Sequence, residues 1–216
     1  MNIIKYKKSE EIINVISHSL GFILTLVLFL PIIIRAFNQG ELTKFWAWTI
    51  YMISLSVMFL SSSLYHSMTN PLARTIFRAI DHGVIYLTIA GSYSPIILIG
   101  IKNTFSIIIF ILVWILALSG IIMNVIAFSI GKEEKINKAS MIIYISMGWI
   151  SLLLFYWIIK YMGIIYITYL LLGGVFYTIG AIFYGKKNIS YNHAIWHIFI
   201  LFASFIMFYG NYLYLS

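Results

Sequence analysis

The sequence predicts an all-α membrane protein built as a bundle of seven transmembrane helices. The chain of 216 residues is 62% hydrophobic and 9% charged, and one soluble domain cannot bury that much apolar surface. Its apolar residues also form seven runs, each long enough to cross a hydrocarbon core of about 30 Å as a helix. The runs are continuous, whereas a lipid-facing barrel strand alternates apolar and polar residues, so helices are the predicted spanning elements.

Short segments rich in turn formers and charge separate the seven predicted helices. The helices cover approximately residues 14–36, 45–67, 80–100, 105–128, 140–160, 163–184 and 192–214. None of the joints is long enough for a second domain, so we expect one seven-helix domain over residues 1–216. No small-residue cleavage site follows the first apolar run, which favours a retained first helix over a removed signal peptide.

Prolines and glycines refine individual helices. Pro31 and Pro95 are expected to kink the first and third helices, and Pro71 is expected to mark the turn before the third. Three glycines of the sixth helix are expected to let a neighbouring helix approach closely. They are Gly173, Gly174 and Gly180.

Basic residues predict the orientation of the bundle. Of the 14 Lys and Arg residues, ten fall on the N-terminal side of the predicted bundle, Lys5 and Lys135 among them, and four on the opposite side. By the positive-inside rule the N-terminus is cytoplasmic and the C-terminus extracytoplasmic, in a multi-pass protein of the cell membrane. Since these charges are scattered over loops, the net charge of +8 does not predict a nucleic-acid partner.

All five histidines of the chain are predicted to lie at one membrane depth, on the cytoplasmic side. They are His18, His66, His82, His193 and His197. Random placement over seven helices would scatter them between both leaflets, so their clustering predicts a shared site. The chain contains no cysteine, which removes thiolates from any metal site.

The histidine spacing favours a metal site. His193 and His197 are four residues apart, so they share one helix face and can reach a single ion. With His66 they make a three-nitrogen set that suits a tetrahedral Zn²⁺ with a water in the fourth position. Asp81, the one aspartate of the chain, lies at the edge of the apolar zone, where an unpaired carboxylate is costly. We predict that Asp81 holds the water as its orienter or general base.

The neighbouring polar residues receive less specific roles. Ser62 precedes His66 by one turn and is predicted to hydrogen-bond either the Asp81 carboxylate or the water, as a second candidate catalytic residue. His82 follows Asp81 by about 100° around the helix, so it is expected to support the site from outside or to pack between helices. The same two roles are open for His18, because a single histidine in a membrane helix often bonds a neighbouring helix.

Four stretches of the chain resemble, in order and spacing, the motifs of a known family. EEIINVISHSLG, SSSLYHS, RAIDHGVIYLTIAGSYSP and NHAIWHIFILFASFIMF are similar to motifs of the hemolysin III family, the bacterial branch of the progestin and adipoQ receptor superfamily. The resemblance covers essentially the whole chain. It implies a seven-helix bundle with a cytoplasmic N-terminus and a zinc ion held by three histidines near the cytoplasmic leaflet. Because the similar branch is bacterial, the membrane is expected to be a bacterial plasma membrane. Adiponectin receptors and alkaline ceramidases of similar kind look like zinc-dependent hydrolases of lipid amides, and the bacterial branch takes its name from a lytic phenotype.

Three functions follow as alternatives. The first is a zinc-dependent hydrolase of lipid amides or esters, with membrane lipid as its partner. The second is a cytolytic pore, which the low polarity of the outward halves of the first and fourth helices disfavours. The third is a sensor of membrane state whose zinc is structural, as expected if Asp81 were a fourth protein ligand.

Overall fold

The computed structural model describes residues 6–216, without the side chains of residues 133–135. Lys5 and the Lys135 side chain, two of the charges that predict the orientation, lie outside the described residues. Within the described part, seven helical segments are long and apolar enough to cross a membrane. The predicted all-α, seven-helix class is therefore confirmed.

Eight α-helices build these seven spans. They are α1 (Lys8–Asn38), α2 (Leu42–Ser67), α3 (Pro71–Pro95), α4 (Thr104–Ser129), α5 (Glu133–Trp149), α6 (Phe155–Met162), α7 (Ile164–Gly185) and α8 (Asn192–Leu215). A π-helical segment, Ile96–Ile101, extends the third span beyond Pro95. A 3₁₀ segment, Ile150–Leu154, joins α5 to α6 within the fifth span.

The third span begins at Pro71 instead of near residue 80, where its apolar run begins, because the first turn of α3 is well capped. The side chain of Asn70 accepts hydrogen bonds from the backbone N–H groups of Leu72 at 3.0 Å and Ala73 at 3.1 Å. Pro71 is the first residue of the helix, where its missing N–H costs nothing. The expectation that Pro71 marks a turn ahead of the helix is therefore wrong.

A tyrosine from α3 interrupts the fifth span, which the sequence predicts as continuous. The Tyr93 hydroxyl contacts the backbone carbonyls of Met147 at 2.7 Å and Gly148 at 3.1 Å. The Ser151 hydroxyl donates to the Gly148 carbonyl as well, at 2.9 Å. In a regular α-helix these carbonyls would accept N–H groups four residues on, so the competing hydroxyls favour the tighter 3₁₀ turns that follow.

Contacts between neighbouring helices close the bundle into a ring. α1 packs against α2 and α8, α2 against α3, α3 against α4 and α5, α5 against α7, and α7 against α8. The interior is filled by large buried side chains, including Trp48, Met52, Phe59, Tyr86 and Tyr166.

Two of the three glycines named in the sixth span serve the predicted close approach. A Cβ on Gly173 would lie 2.3 Å from Met207 Cγ, and one on Gly180 would lie 2.8 Å from Phe199 Cβ, both on α8. A Cβ on Gly174 would meet only Trp149, at an ordinary 3.5 Å. Gly174 therefore does not serve the approach of α7 to α8.

The topology brings the candidate site residues to one end of the bundle. This end, called here the histidine end, is formed by the starts of α1, α3 and α8 and by the end of α2. It carries His18 from α1, Ser62 and His66 from α2, Asp81 and His82 from α3, and His193 and His197 from α8.

Candidate metal centre

The imidazoles of His66, His193 and His197 converge inside the histidine end. One nitrogen from each ring lies within 4.8 Å of the other two. His193 Nε2 is 3.1 Å from His66 Nε2 and 2.8 Å from His197 Nε2. All three residues are buried, with exposed fractions of 4% or less. Helix packing thus brings His66 next to His193, 127 positions further along the chain, and next to His197 one turn beyond it.

The contacts among these nitrogens fit a shared cation. A neutral imidazole nitrogen carries either one proton or one lone pair, so His193 Nε2 can complete a hydrogen bond with one of its two neighbours and not with both. A cation accepts three lone pairs at once. Tetrahedral Zn–N bonds of about 2.0–2.1 Å place ligand nitrogens about 3.3–3.4 Å apart, close to the 2.8 and 3.1 Å found here. Three buried histidines can therefore form a metal site.

Two of these imidazoles are held on their far sides by Tyr6, just before α1, and by Glu11, in the first turn of α1. His66 Nδ1 lies 2.5 Å from Glu11 Oε2, and the other oxygen of Glu11 forms an ion pair with Arg74. The Tyr6 hydroxyl lies 3.2 Å from His193 Nδ1, and its ring stacks on the His193 ring at 4.7 Å. Burial raises the pKa of Tyr6, so its hydroxyl stays protonated.

Sequence reasoning missed Glu11 and Tyr6, which precede the predicted start of the first helix. α1 begins at Lys8 instead of near residue 14, so Glu11 lies in its first turns at the depth of the histidines. The available signal was an acidic pair, Glu10 and Glu11, directly before an apolar run in a chain with six acidic residues. Acidic side chains in the first turn favour a helix start, which predicts the longer helix.

Asp81 lies in the same region but outside the histidine group. It is buried, with 4% exposed, and the group of converging donors in the described part of the chain does not include it. Ser62, one turn before His66 on α2, lies close to the Asp81 carboxylate, although its Oγ makes no hydrogen bond of normal geometry there. The Arg78 guanidinium acts on Asp81 electrostatically from the previous turn of α3.

The two remaining histidines take different positions. The His18 ring packs on the His197 ring with centroids 3.9 Å apart and meets Phe59 edge-on at 5.2 Å. It therefore lies directly against the histidine cluster. His82 Nδ1 donates a 2.9 Å hydrogen bond to the Arg78 carbonyl, and its ring faces Phe128 of α4 at 5.8 Å. His82 thus packs between helices on the side of α4.

A mainly apolar cavity of about 150 Å³ lies in the bundle next to the cluster. α2, α3, α5, α7 and α8 all contribute to its lining, which includes Leu55, His82, Tyr144, Tyr184 and Trp196. The rings of Tyr184 and Trp196 also contact the His193 ring, at 5.5 and 5.1 Å between centroids. These two rings therefore border both the cavity and the His193 ring.

Comparison with known proteins agrees with the motif resemblance. A family model described as Haemolysin-III related matches residues 6–208. The Hemolysin-3 of Bacillus cereus is 36% identical over 200 residues, which cover 93% of this chain and 89% of that protein. A Hemolysin-3 homolog of Bacillus subtilis (strain 168) is 36% identical over 200 residues, covering 93% and 92%. The human Monocyte to macrophage differentiation factor is 28% identical over 178 residues, covering 80% and 71%.

Proposed function

Because the chain belongs to the haemolysin-III related family, we propose that it is a zinc-dependent membrane hydrolase of lipid amides or esters. The observation that carries the proposal is the convergence of three imidazole nitrogens from α2 and α8. Three protein ligands with an open fourth position are typical of catalytic zinc, whereas structural zinc has four protein ligands.

The residues divide into a metal-holding set and a proton-handling set. His66, His193 and His197 hold Zn²⁺. When bound, Zn²⁺ supplies a Lewis acid for a carbonyl oxygen and makes water nucleophilic near neutral pH. A carboxylate oxygen of Asp81 accepts the proton of the attacking water and returns it to the departing lipid nitrogen or oxygen as the acyl C–N or C–O bond breaks. Ser62 supports Asp81 from the neighbouring helix.

The cavity supports a lipid as the substrate. Its lining is mainly apolar, it lies within the membrane-spanning part of the bundle, and it borders the histidine cluster through Tyr184 and Trp196. An acyl chain in this cavity would exclude water along its length, so its carbonyl end is the polar group available for chemistry. The positive-inside rule further supports a histidine end that faces the cytoplasm, and the two Bacillus relatives support a bacterial plasma membrane as its location.

Metal analysis combined with lipid mass spectrometry tests the proposal. We expect wild-type protein to hold about one zinc per chain, and His66→Ala, His193→Ala and His197→Ala to lose both zinc and lipid cleavage. His82→Ala is the matched control for metal content, because the His82 ring faces Phe128 instead of the cluster. Equal zinc in all five proteins would refute the site, and zinc without cleavage of any amide or ester lipid would support a structural or sensing role.

Membrane lysis is the second candidate, because the Bacillus cereus relative bears the name Hemolysin-3. The packing disfavours a pore within one protomer, since Trp48, Met52 and Phe208 fill the end of the bundle opposite the histidines. Dye leakage from vesicles separates the two functions. Leakage that persists in the three histidine variants would favour a metal-independent pore.

A further inference from the structure

We propose that the segment Tyr6–Glu11 positions the metal ligands, with Glu11 fixing the ring of His66 and Tyr6 fixing the ring of His193. The inference rests on the proposed metal centre, because it assigns a role toward the ion. It does not depend on lipid hydrolysis.

The contact between Glu11 and His66 sets which nitrogen of His66 faces the ion. An ionised carboxylate can only accept hydrogen bonds, so the 2.5 Å contact with Glu11 Oε2 requires the proton on His66 Nδ1. The lone pair is then on Nε2, the atom that lies 3.1 Å from His193 Nε2. A carboxylate behind a ligand imidazole also raises its basicity and so strengthens its bond to a metal.

Arg74 holds this carboxylate in place. Its guanidinium pairs with the second oxygen of Glu11, donates to the Met68 carbonyl at 3.3 Å and lies over the Tyr65 ring at 4.8 Å. Glu11 is thereby fixed between α2 and α3 at both of its oxygens. Its orientation toward His66 is a property of the packed bundle and not of one side-chain rotamer.

Tyr6 acts on His193 in the corresponding way. With the lone pair of Nε2 directed at the cluster, the proton of His193 is on Nδ1, and the Tyr6 oxygen at 3.2 Å accepts it. Stacking of the two rings at 4.7 Å holds the imidazole plane. Among the described residues His197 Nδ1 has no hydrogen-bond partner, so the outer contacts reach two of the three ligands. The contacts of Glu11 and Tyr6 come from one segment, and Asn14 Nδ2, one turn further along α1, also lies 3.3 Å from His66 Nδ1.

The same segment is docked by contacts that do not touch a ligand ring. The hydroxyls of Ser9 and Tyr191 lie 2.8 Å apart, and Lys7 Nζ lies 5.7 Å from the centre of the Tyr191 ring. Ser9→Ala removes the contact with Tyr191 alone, because the ion pair of Glu11 with Arg74 and the contact of Tyr6 with His193 remain to hold the segment in place. It is the matched control for a role directed at the metal.

Zinc affinity of the purified full chain, measured by competition with a chelator, tests the inference. We expect Glu11→Gln to weaken Zn²⁺ binding by about 10- to 100-fold, since the amide removes the charge at nearly constant shape. Tyr6→Phe keeps the ring and removes the hydroxyl, so we expect a smaller loss of affinity. Ser9→Ala should bind zinc as wild type does. The visible spectrum of bound Co²⁺ should change in Glu11→Gln and stay unchanged in Ser9→Ala.

Glu11→Asp provides a second variant, because it keeps the charge and shortens the side chain by one methylene. We expect it to restore part of the affinity lost in Glu11→Gln, which loss of packing alone would not predict. Wild-type affinity and an unchanged Co²⁺ spectrum in Glu11→Gln would overturn the inference. The inference would also be overturned if the wild-type protein bound no zinc. If zinc binding depends on Glu11 and no lipid is cleaved, the proposed hydrolase activity is refuted and the positioning role is supported.

Discussion

His193 Nε2 lies 2.8 Å from His197 Nε2, one turn further along α8, and both rings are buried. His66 Nε2 approaches His193 Nε2 from α2, so three nitrogens share a space in which hydrogen bonds cannot satisfy all of them. A cation that accepts the three lone pairs would satisfy all of them at once. If an ion binds there, metal binding and stability of the helix packing are expected to be coupled.

The first prediction follows from this coupling: chelation lowers the thermal stability of the protein in detergent. An ion that binds the folded state alone stabilises it by about 2.7 kcal/mol at a free concentration 100 times its Kd. We expect zinc to raise the unfolding temperature of wild type and His82→Ala, and to leave His193→Ala unchanged. An equal shift in His193→Ala would place the ion elsewhere.

The second prediction separates proton handling from metal holding. Asp81 lies outside the group of converging nitrogens, so Asp81→Asn should retain zinc at the wild-type level. It should lower the rate of lipid cleavage by about 10²- to 10⁴-fold, the usual contribution of a general acid or base. Zinc content and turnover are measured on the same sample. Loss of zinc in Asp81→Asn would instead make Asp81 a ligand and favour a structural site.

The sequence predicts the parts of this protein that depend on local properties. Apolar run length predicts the seven spans, and spacing along one helix predicts that His193 and His197 share a face. The break in the fifth span depends on a hydroxyl from Tyr93, 54 positions before the carbonyl it contacts, and no local pattern carries that information. Glu11 is missed for a similar reason, because its partner His66 is 55 positions away.

The third prediction concerns the contact between the helices that carry His66 and Asp81. A Cβ on Gly91 of α3 would lie 2.2 Å from Ser54 Oγ and 2.8 Å from Ser54 Cβ on α2. Gly91→Ala should therefore force these helices apart and destabilise the fold by about 1–3 kcal/mol. The measurement is unfolding by a denaturing detergent.

Gly148→Ala is the matched control for Gly91→Ala. A Cβ on Gly148 would meet no atom within 4 Å, and its backbone has no positive φ. We expect a neutral effect or a stabilisation of about 0.4–1 kcal/mol, from lower entropy of the unfolded chain. Equal destabilisation by both substitutions would show that loss of glycine itself, and not the α2–α3 contact, is responsible.

The fourth prediction uses a buried polar pair far from the histidines. The Tyr166 hydroxyl donates a 2.6 Å hydrogen bond to Asn211 Oδ1, and both residues are fully buried. Along α8, Asn211 follows His197 by 14 residues, a distance of about 21 Å at 1.5 Å per residue. Tyr166→Phe leaves the Asn211 oxygen without its donor inside the bundle, so we expect a loss of about 1–3 kcal/mol of stability.

A double-mutant cycle separates the hydrogen bond from packing. Asn211→Leu alone leaves the Tyr166 hydroxyl unpaired and should also destabilise, whereas the double variant Tyr166→Phe with Asn211→Leu removes both polar groups and should recover most of the loss. Zinc affinity should stay at the wild-type value in all three variants, because the pair does not contact the histidine end. Additive losses would mean that the pair contributes through packing alone, and a change in zinc affinity would show that the two ends of the bundle are energetically coupled.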